Sequence, residues 1–502
     1  MSRSLVAGPR LLAAGLVLLV AAWMAATQPF LAPDEPSHYE RAMILTNGQI
    51  LGPQVPYIPS PGLNATQAEF IDHDTRGVWV AANLMPVLGE CMDGLPNRSG
   101  CAVATPDGNF PPLGYVLPAA AIGFARSATT ALWFTRVASA LQSVAFVLLA
   151  LALLWEGSGW SLLGLVAAVS PMVLFCASIM NPSGIEIASC LAFAAAGLRI
   201  ARDPSRASGR VWFAFGLSGS VAALTGPLDV VFVLADLAVF AGLLGATGTR
   251  LLARRREARL AGAVVLVALA LAVAYTRVAG FAHQFAFTPF GTSLQRGLDQ
   301  FSGVLRGAIG DFGALTVPLP PSVDWLWWLL VVAVILVALW LGTVRERVVV
   351  GAVVVLGLAF PILFWAWVDR LSGFGLQGRE VLPELMLIPL VAGEVVARNR
   401  RRLEVRRASG PALFAILVLT AGVQAYSWWL SAGTAGGAAG RFDFWGPATW
   451  SPPAGWAPWV AAACLGSLAL VAYAAREGGR KQLPPGGGVD SAGRAEIAFG
   501  RT

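Results

Sequence analysis

Runs of about twenty apolar residues recur along the chain, most of them separated by short polar segments and two of the gaps much longer. They cover roughly 11 to 27, 130 to 155, 159 to 180, 183 to 200, 211 to 226, 229 to 247, 260 to 279, 325 to 342, 348 to 367, 381 to 397, 411 to 432 and 457 to 475. A hydrocarbon core about 30 Å thick takes about 20 helical residues, so the pattern predicts an all-α polytopic membrane protein with about twelve transmembrane helices. The first run follows Arg3 and Arg10 and lacks a small-residue cleavage site, so it reads as an uncleaved span rather than a signal peptide. One further stretch, 112 to 127, is short, opens on Pro111-Pro112 and ends at Arg126.

Arginine placement decides how that stretch is read. If it does not span, the basic clusters at Arg3 and Arg10, Arg199 to Arg210, Arg250 to Arg259, Arg345 and Arg347, Arg398 to Arg407, and Arg476 onward share one side, some two thirds of the 35 basic residues. If it does span, most of these clusters change sides, against the positive-inside rule. Residues 112 to 127 are therefore expected to be interfacial or re-entrant, with both termini cytoplasmic. The expected transmembrane domain is 1 to 476, with a first outer loop at 28 to 129, a second at 280 to 323 and a Trp-rich outer loop at 433 to 456. Residues 477 to 502, rich in Gly, Pro and Arg, read as a disordered cytoplasmic tail.

Composition agrees with lipid as the solvent. Hydrophobic residues make up 56% of the 502 and charged residues 13%, with a mean hydropathy of +0.67. A single water-soluble core cannot absorb that much apolar surface. The net charge of +7 does not indicate nucleic acid, because the basic residues lie in short clusters between apolar runs and all but Lys481 are arginines. Cys91 and Cys101 share the first outer loop, where an oxidising exterior favours a disulfide; two free thiols are the alternative. Asn64-Ala65-Thr66 and Asn97-Arg98-Ser99 match a glycosylation sequon that also arises by chance. All three histidines, His38, His73 and His283, fall on the outer side.

The densest polar cluster is Pro33-Asp34-Glu35-Pro36-Ser37-His38-Tyr39-Glu40-Arg41, just beyond the first span. If a helix begins there, Asp34, His38 and Arg41 share a face at i, i+4 and i+7, with Glu35 turned about 100° away. The structural alternative is that Asp34 is an N-cap and Pro36 a first-turn proline. Spacing alone leaves both readings standing.

A long first outer loop opening on an acidic pair resembles the GT-C superfamily of membrane glycosyltransferases. Pro33-Asp34-Glu35-Pro36-Ser37-His38 resembles the Pro-Asp-Glu-Pro-x-His signature of a bacterial branch, domain-of-unknown-function family 2142. Asn109-Phe110-Pro111-Pro112-Leu113-Gly114-Tyr115, Ser178-Ile179-Met180-Asn181-Pro182-Ser183 and Gln377-Gly378-Arg379-Glu380-Val381-Leu382-Pro383 resemble three further segments of that family, in order. Two departures stand out: Ser183 where the family has Asp, and Glu380 where it has Tyr. Glu186, one turn beyond Ser183, is a candidate substitute for the missing carboxylate.

The resemblance implies transfer of a sugar from a polyprenyl-phosphate donor to an envelope glycan, glycolipid or protein in a bacterial plasma membrane. The Ala-, Gly- and Arg-rich composition resembles actinobacterial proteins. Displacing a phosphate needs a base for the acceptor and positive charge for the leaving group. By that analogy Asp34 is the candidate base and Glu35 the second. Arg379 is the candidate phosphate clamp, with headgroup snorkelling as its alternative. His38, Arg41, Arg136, Asn181, Glu186 and Glu380 are candidate substrate-binding residues. Some GT-C enzymes use a divalent cation, which leaves open Mg or Mn held by Asp34, Glu35, Glu186 or the trio Asp72-His73-Asp74. Asp236, inside an apolar run, reads first as a buried structural carboxyl. The tryptophans at 325, 327 and 328 fit an interfacial belt. Two rival readings remain: a transporter or lipid flippase with Asp236 and Arg277 as pathway charges, and a noncatalytic assembly protein that keeps the fold.

Overall fold

A computed structural model of the chain describes residues 3–56, 63–86, 91–92, 99–280, 288–404, 406, 409–437, 444 and 446–479. His283, Asn97 and nearly all of the expected tail fall outside the described residues. Helix α1, Arg3–Ala26, leads to a long segment that carries α2, Glu35–Thr46, and α3, Ala65–Asp74. An antiparallel hairpin follows, β1 at Arg76–Ala81 and β2 at Gly100–Thr105, with Arg76 opposite Thr105. The segment ends in α4, Val116–Ile122, and α5, Ala128–Leu154, returns across the bundle.

Then come α6, Leu163–Ala168, α7, Pro171–Cys176, α8, Ser183–Arg202, α9, Gly209–Thr225, α10, Asp229–Arg254, and α11, Arg256–Ala279. A second segment between spans holds α12, Phe290–Gly307, and the short pair β3, Asp311–Phe312, and β4, Val317–Pro318. The last set is α13, Pro321–Leu341, α14, Val344–Ser372, α15, Leu382–Leu385, α16, Leu387–Arg398, α17, Arg401–Glu404, α18, Ser409–Gly436, and α19, Ala457–Gly478.

Among the described residues, nine helices are long and apolar enough to cross a membrane: α1, α5, α8, α10, α11, α13, α14, α18 and α19. Three of the twelve expected runs take another form. The run 159 to 180 breaks between α6 and α7, where Pro171 lacks the N–H that a continuing helix needs. The run 211 to 226 is α9, only 17 residues long and ended by extended backbone at Gly226. The run 381 to 397 is divided between α15 and α16, with Pro389 withholding a hydrogen bond from Leu385. Residues 112 to 127 contain a 3-10 turn and the seven-residue α4, too short to span.

α8 is buried nearly all round and forms the centre of the bundle with α6, α7 and α16. The outer faces of α11, α13, α14 and α19 expose Leu266, Val267, Leu271, Leu329, Leu336, Val355, Leu356, Leu465 and Leu468. Such a continuous apolar surface suits acyl chains, not water. Contacts sort the helix ends into two sets. At one end Arg199 and Arg400 reach Glu156 at 2.6 and 2.7 Å, Arg398 reaches Glu394 at 2.8 Å, and Arg202 pairs with both carboxylates. At the other end, Gln28 Nε2 donates to the Ala435 carbonyl at 2.6 Å and Arg76 to the Ala279 carbonyl at 2.9 Å. The acidic motif after α1 belongs to this second end.

Candidate functional site at the outer end of the bundle

Asp34 precedes the first turn of α2 with φ 56° and ψ 13°, a left-handed conformation that Asp tolerates better than most residues. Its backbone carbonyl accepts from the His38 N–H at 3.0 Å, so Asp34 holds the N-cap position. Its side chain makes no capping bond. The carboxylate, 47% exposed, instead pairs with the Arg379 guanidinium. Asn181 fixes the approach to this turn: Nδ2 donates to the Pro33 carbonyl at 3.1 Å and Oδ1 accepts from the Ser183 N–H at 2.9 Å. One donor and one lone pair of the Asn181 amide are thereby used to position the turn that carries Asp34.

Glu35 is fully buried and accepts four hydrogen bonds. Arg136 donates to both its oxygens at 2.7 and 2.6 Å, the Phe30 N–H donates at 2.9 Å and the Met180 N–H at 3.1 Å. A carboxylate has about four lone-pair sites, so Glu35 has none left for a proton acceptor's task. Arg136 is buried too, and its remaining donors go to the carbonyls of Met24, Thr27 and Gln28. The geometry thus corrects two expectations: this pair clamps the end of α1 to α5 and the α7–α8 turn.

Arg41 is likewise drawn into the scaffold. It donates to the Phe110 and Ile50 carbonyls at 2.8 and 2.9 Å, and its guanidinium lies over the Tyr115 ring. The expected cluster of Asp34, His38 and Arg41 on one helix face does not form, because Asp34 lies outside the helix and Arg41 points into the outer loop. His38 does stay with the site. Its Nδ1 is 2.8 Å from the Tyr115 hydroxyl and 3.5 Å from Asp107. Burial lowers the His38 pKa, opposed by the charges of Asp107 and Asp34. Asp107 is half-buried and bonded to the Ser37 hydroxyl. Its pKa is raised by burial, with His38 acting the other way and Asp34 adding to the rise. Glu40, buried behind it, is pushed up to about 8 by burial and then by the charge of Asp107.

Sequence reasoning missed Asp107 because Pro106-Asp107-Gly108 has the composition of an ordinary turn. Only the β1–β2 hairpin brings it to α2: Thr105, at the end of β2, donates to the Ser37 carbonyl at 2.9 Å.

Arg379 sits in the 3-10 turn Gly378–Val381. Gly378 packs so closely on the end of α12 that an added Cβ would lie 2.2 Å from the Ala308 nitrogen. Glu380 caps the turn by accepting from the Gln377 N–H at 3.0 Å. Glu380 therefore supports Arg379, and burial raises its own pKa against the pull of Arg379. The Arg379 side chain is only 4% exposed, yet its Nε and Nη1 have no hydrogen-bond partner among the described residues. Burial opposes its charge, but Asp34 and Glu380 outweigh that effect and hold its pKa above the ordinary value.

Glu186 shares a side-chain hydrogen bond with Asp229 and lies within electrostatic reach of Glu380 and Arg379. Among the described residues, no group of three or more His, Cys, Asp or Glu side chains is arranged to hold a metal ion. In the trio Asp72-His73-Asp74, His73 pairs with Asp74 at 3.3 Å at the end of α3. Cys91 and Cys101 form a disulfide, with Cα atoms 5.7 Å apart. Asp236 is buried on α10, whereas Arg277 lies exposed in the last turn of α11.

The chain is similar in structure to ArnT from Cupriavidus metallidurans. In the apo state the identity is 15% and the TM-score 0.45, over 92% of this chain and 77% of that one. Against ArnT bound to undecaprenyl phosphate the identity is 12% and the TM-score 0.46, over 93% and 77%. It is also similar to the archaeal oligosaccharyltransferase AglB from Archaeoglobus fulgidus, in complex with an inhibitory peptide and a dolichol-phosphate: 14% identity, TM-score 0.34, over 86% of this chain and 56% of that one. A comparison with curated proteins finds no match. The family model described as a predicted membrane protein, DUF2142, matches residues 17–388, and the chain belongs to that family.

Proposed function

We propose that this protein is a membrane glycosyltransferase that moves a sugar from a polyprenyl-phosphate donor to an acceptor hydroxyl of the cell envelope. The site faces outward from a bacterial plasma membrane, both termini are cytoplasmic, and residues 1–476 act as one transmembrane unit. The reading rests on one observation above the others: a buried guanidinium with two unpartnered nitrogens, Arg379, beside a half-exposed carboxylate, Asp34. Buried polar groups are ordinarily satisfied, so orphaned N–H groups on a guanidinium beside a half-exposed carboxylate support the binding of an anion there.

In the proposed reaction, Asp34 takes the proton of the acceptor hydroxyl as its oxygen bonds to the anomeric carbon. The bond from that carbon to the phosphate oxygen breaks, and its electron pair leaves with the polyprenyl phosphate. Arg379 neutralises the charge that develops there. His38 and Asp107 border Asp34 and set its electrostatic surroundings. The transporter reading is less well supported, because its two pathway charges do not share an environment: Asp236 is buried and Arg277 exposed.

Purified protein supplied with defined polyprenyl-phosphate sugars and envelope acceptors tests the reading. Wild type is expected to form product, Asp34→Asn to lose about 10²–10⁴-fold of the rate, and Arg379→Ala to lose both rate and donor affinity. Full transfer by Asp34→Asn would sink the base assignment. No transfer by wild type with any donor would favour the noncatalytic reading.

A further inference from the structure

The same ion pair that marks the site also obstructs it. A carboxylate oxygen engaged by a guanidinium is not free to receive an acceptor hydroxyl, and a guanidinium nitrogen that holds a carboxylate is not free for phosphate. The two partners are not equally mobile. Arg379 is fixed by the close contact of Gly378 on α12, by the Glu380 cap and by its own burial. Asp34 is about half exposed, in a left-handed backbone conformation that costs a non-glycine residue energy, and among the described residues its side chain makes no other hydrogen bond than that to Arg379.

We propose that Asp34 serves as an internal anion on Arg379 in the absence of donor, and that the donor phosphate displaces it. The base is then released only once the donor is seated, and binding is ordered, donor before acceptor. This inference rests on the reading of Arg379 as the phosphate site. A guanidinium meets phosphate in a two-pronged contact through Nη2 paired with Nε or with Nη1; Nη2 is the nitrogen that Asp34 holds, and Nε and Nη1 are buried without a partner among the described residues. Exchange of one carboxylate contact for a bidentate phosphate contact favours the donor.

A competing internal anion lowers apparent ligand affinity by the fraction of molecules in which it occupies the site. Removing it therefore raises affinity for lipid phosphate while abolishing transfer, the opposite of what loss of a substrate ligand does. The experiment is equilibrium binding of polyprenyl monophosphate, without sugar, to the full-length protein in phosphatidylcholine nanodiscs. Wild type is compared with Asp34→Asn, Asp34→Gly and Arg379→Ala. The glycine variant suits the left-handed backbone and guards against loss of folding. Both Asp34 variants are expected to bind about tenfold more tightly than wild type, as for a pair closed in nine molecules of ten, and Arg379→Ala more weakly.

Equal or weaker binding by both Asp34 variants, with wild-type binding still dependent on Arg379, would overturn the displacement and leave the donor site standing. Wild-type binding that ignores Arg379, or no binding, would overturn the phosphate reading and the displacement together. Inorganic phosphate run alongside separates head group from chain. A gain shared by both probes puts the competition at the phosphate, as expected, whereas a gain for the lipid alone overturns it.

Discussion

Replacing Glu35 by alanine leaves the Arg136 guanidinium buried against three backbone carbonyls with no counter-charge. Breaking a buried pair from one side costs about 3–5 kcal/mol. Glu35→Ala is therefore expected to lower the thermal unfolding temperature in detergent sharply, whereas Asp34→Asn, at a half-exposed position, is expected to leave it nearly unchanged. Glu40 gives a second test at this scale. Its pKa lies near 4.5 in the unfolded chain and is raised to about 8 in the fold, so the folded state binds more protons between these values. Stability from this group is present below about 4.5 and is lost as pH rises through about 8. Glu40→Gln should flatten that decline, giving a higher unfolding temperature than wild type at pH 9 and no gain at pH 4. The acidic motif was visible in the sequence as a cluster, but the division of labour within it was not. Asp34 and Glu35 are adjacent and chemically alike; what separates them is that Arg136, Phe30 and Met180 arrive around one and not the other.

At the scale of elements, Arg379 owes its position to a contact between two pieces of backbone. Gly378→Ala places a methyl group 2.2 Å from the Ala308 nitrogen, and neither partner is the movable end of a side chain. The turn must shift, and a displacement near 1 Å is expected to cost about 10²-fold in transfer rate with helical content unchanged by circular dichroism. The long helices were legible because a run of apolar residues suffices to specify them. The runs that departed from expectation, around Pro171, Gly226 and Pro389, carry residues that interrupt the hydrogen-bond ladder without lowering hydropathy. The hairpin was not anticipated: Val78, Val80 and Val103 alternate over only six residues a strand, too briefly to stand out in a loop rich in turn formers. Asp107 was lost with it, since its place beside His38 depends on that pairing.

For the molecule as a whole, the two ends of the bundle are organised by opposite principles. The end that carries the acidic motif collects a few polar residues around one arginine, Arg379, whereas the other end gathers several arginines around two shared carboxylates. Glu156 and Glu394 receive Arg199, Arg202, Arg398 and Arg400 there, joining the ends of α5, α8 and α16. Arg202 precedes Glu394 by 192 residues, so a growing chain exposes the arginine when Glu156 is made but its second acid partner is not. In that interval Glu156 faces Arg199 and Arg202 together, and the surplus positive charge, in the proposed orientation, helps to keep the loop on the side of synthesis. When α16 is inserted, Glu394 takes the guanidinium up. The arginine acts first as a signpost for insertion and afterwards as a fastener of the finished bundle, two duties divided by time rather than by residue.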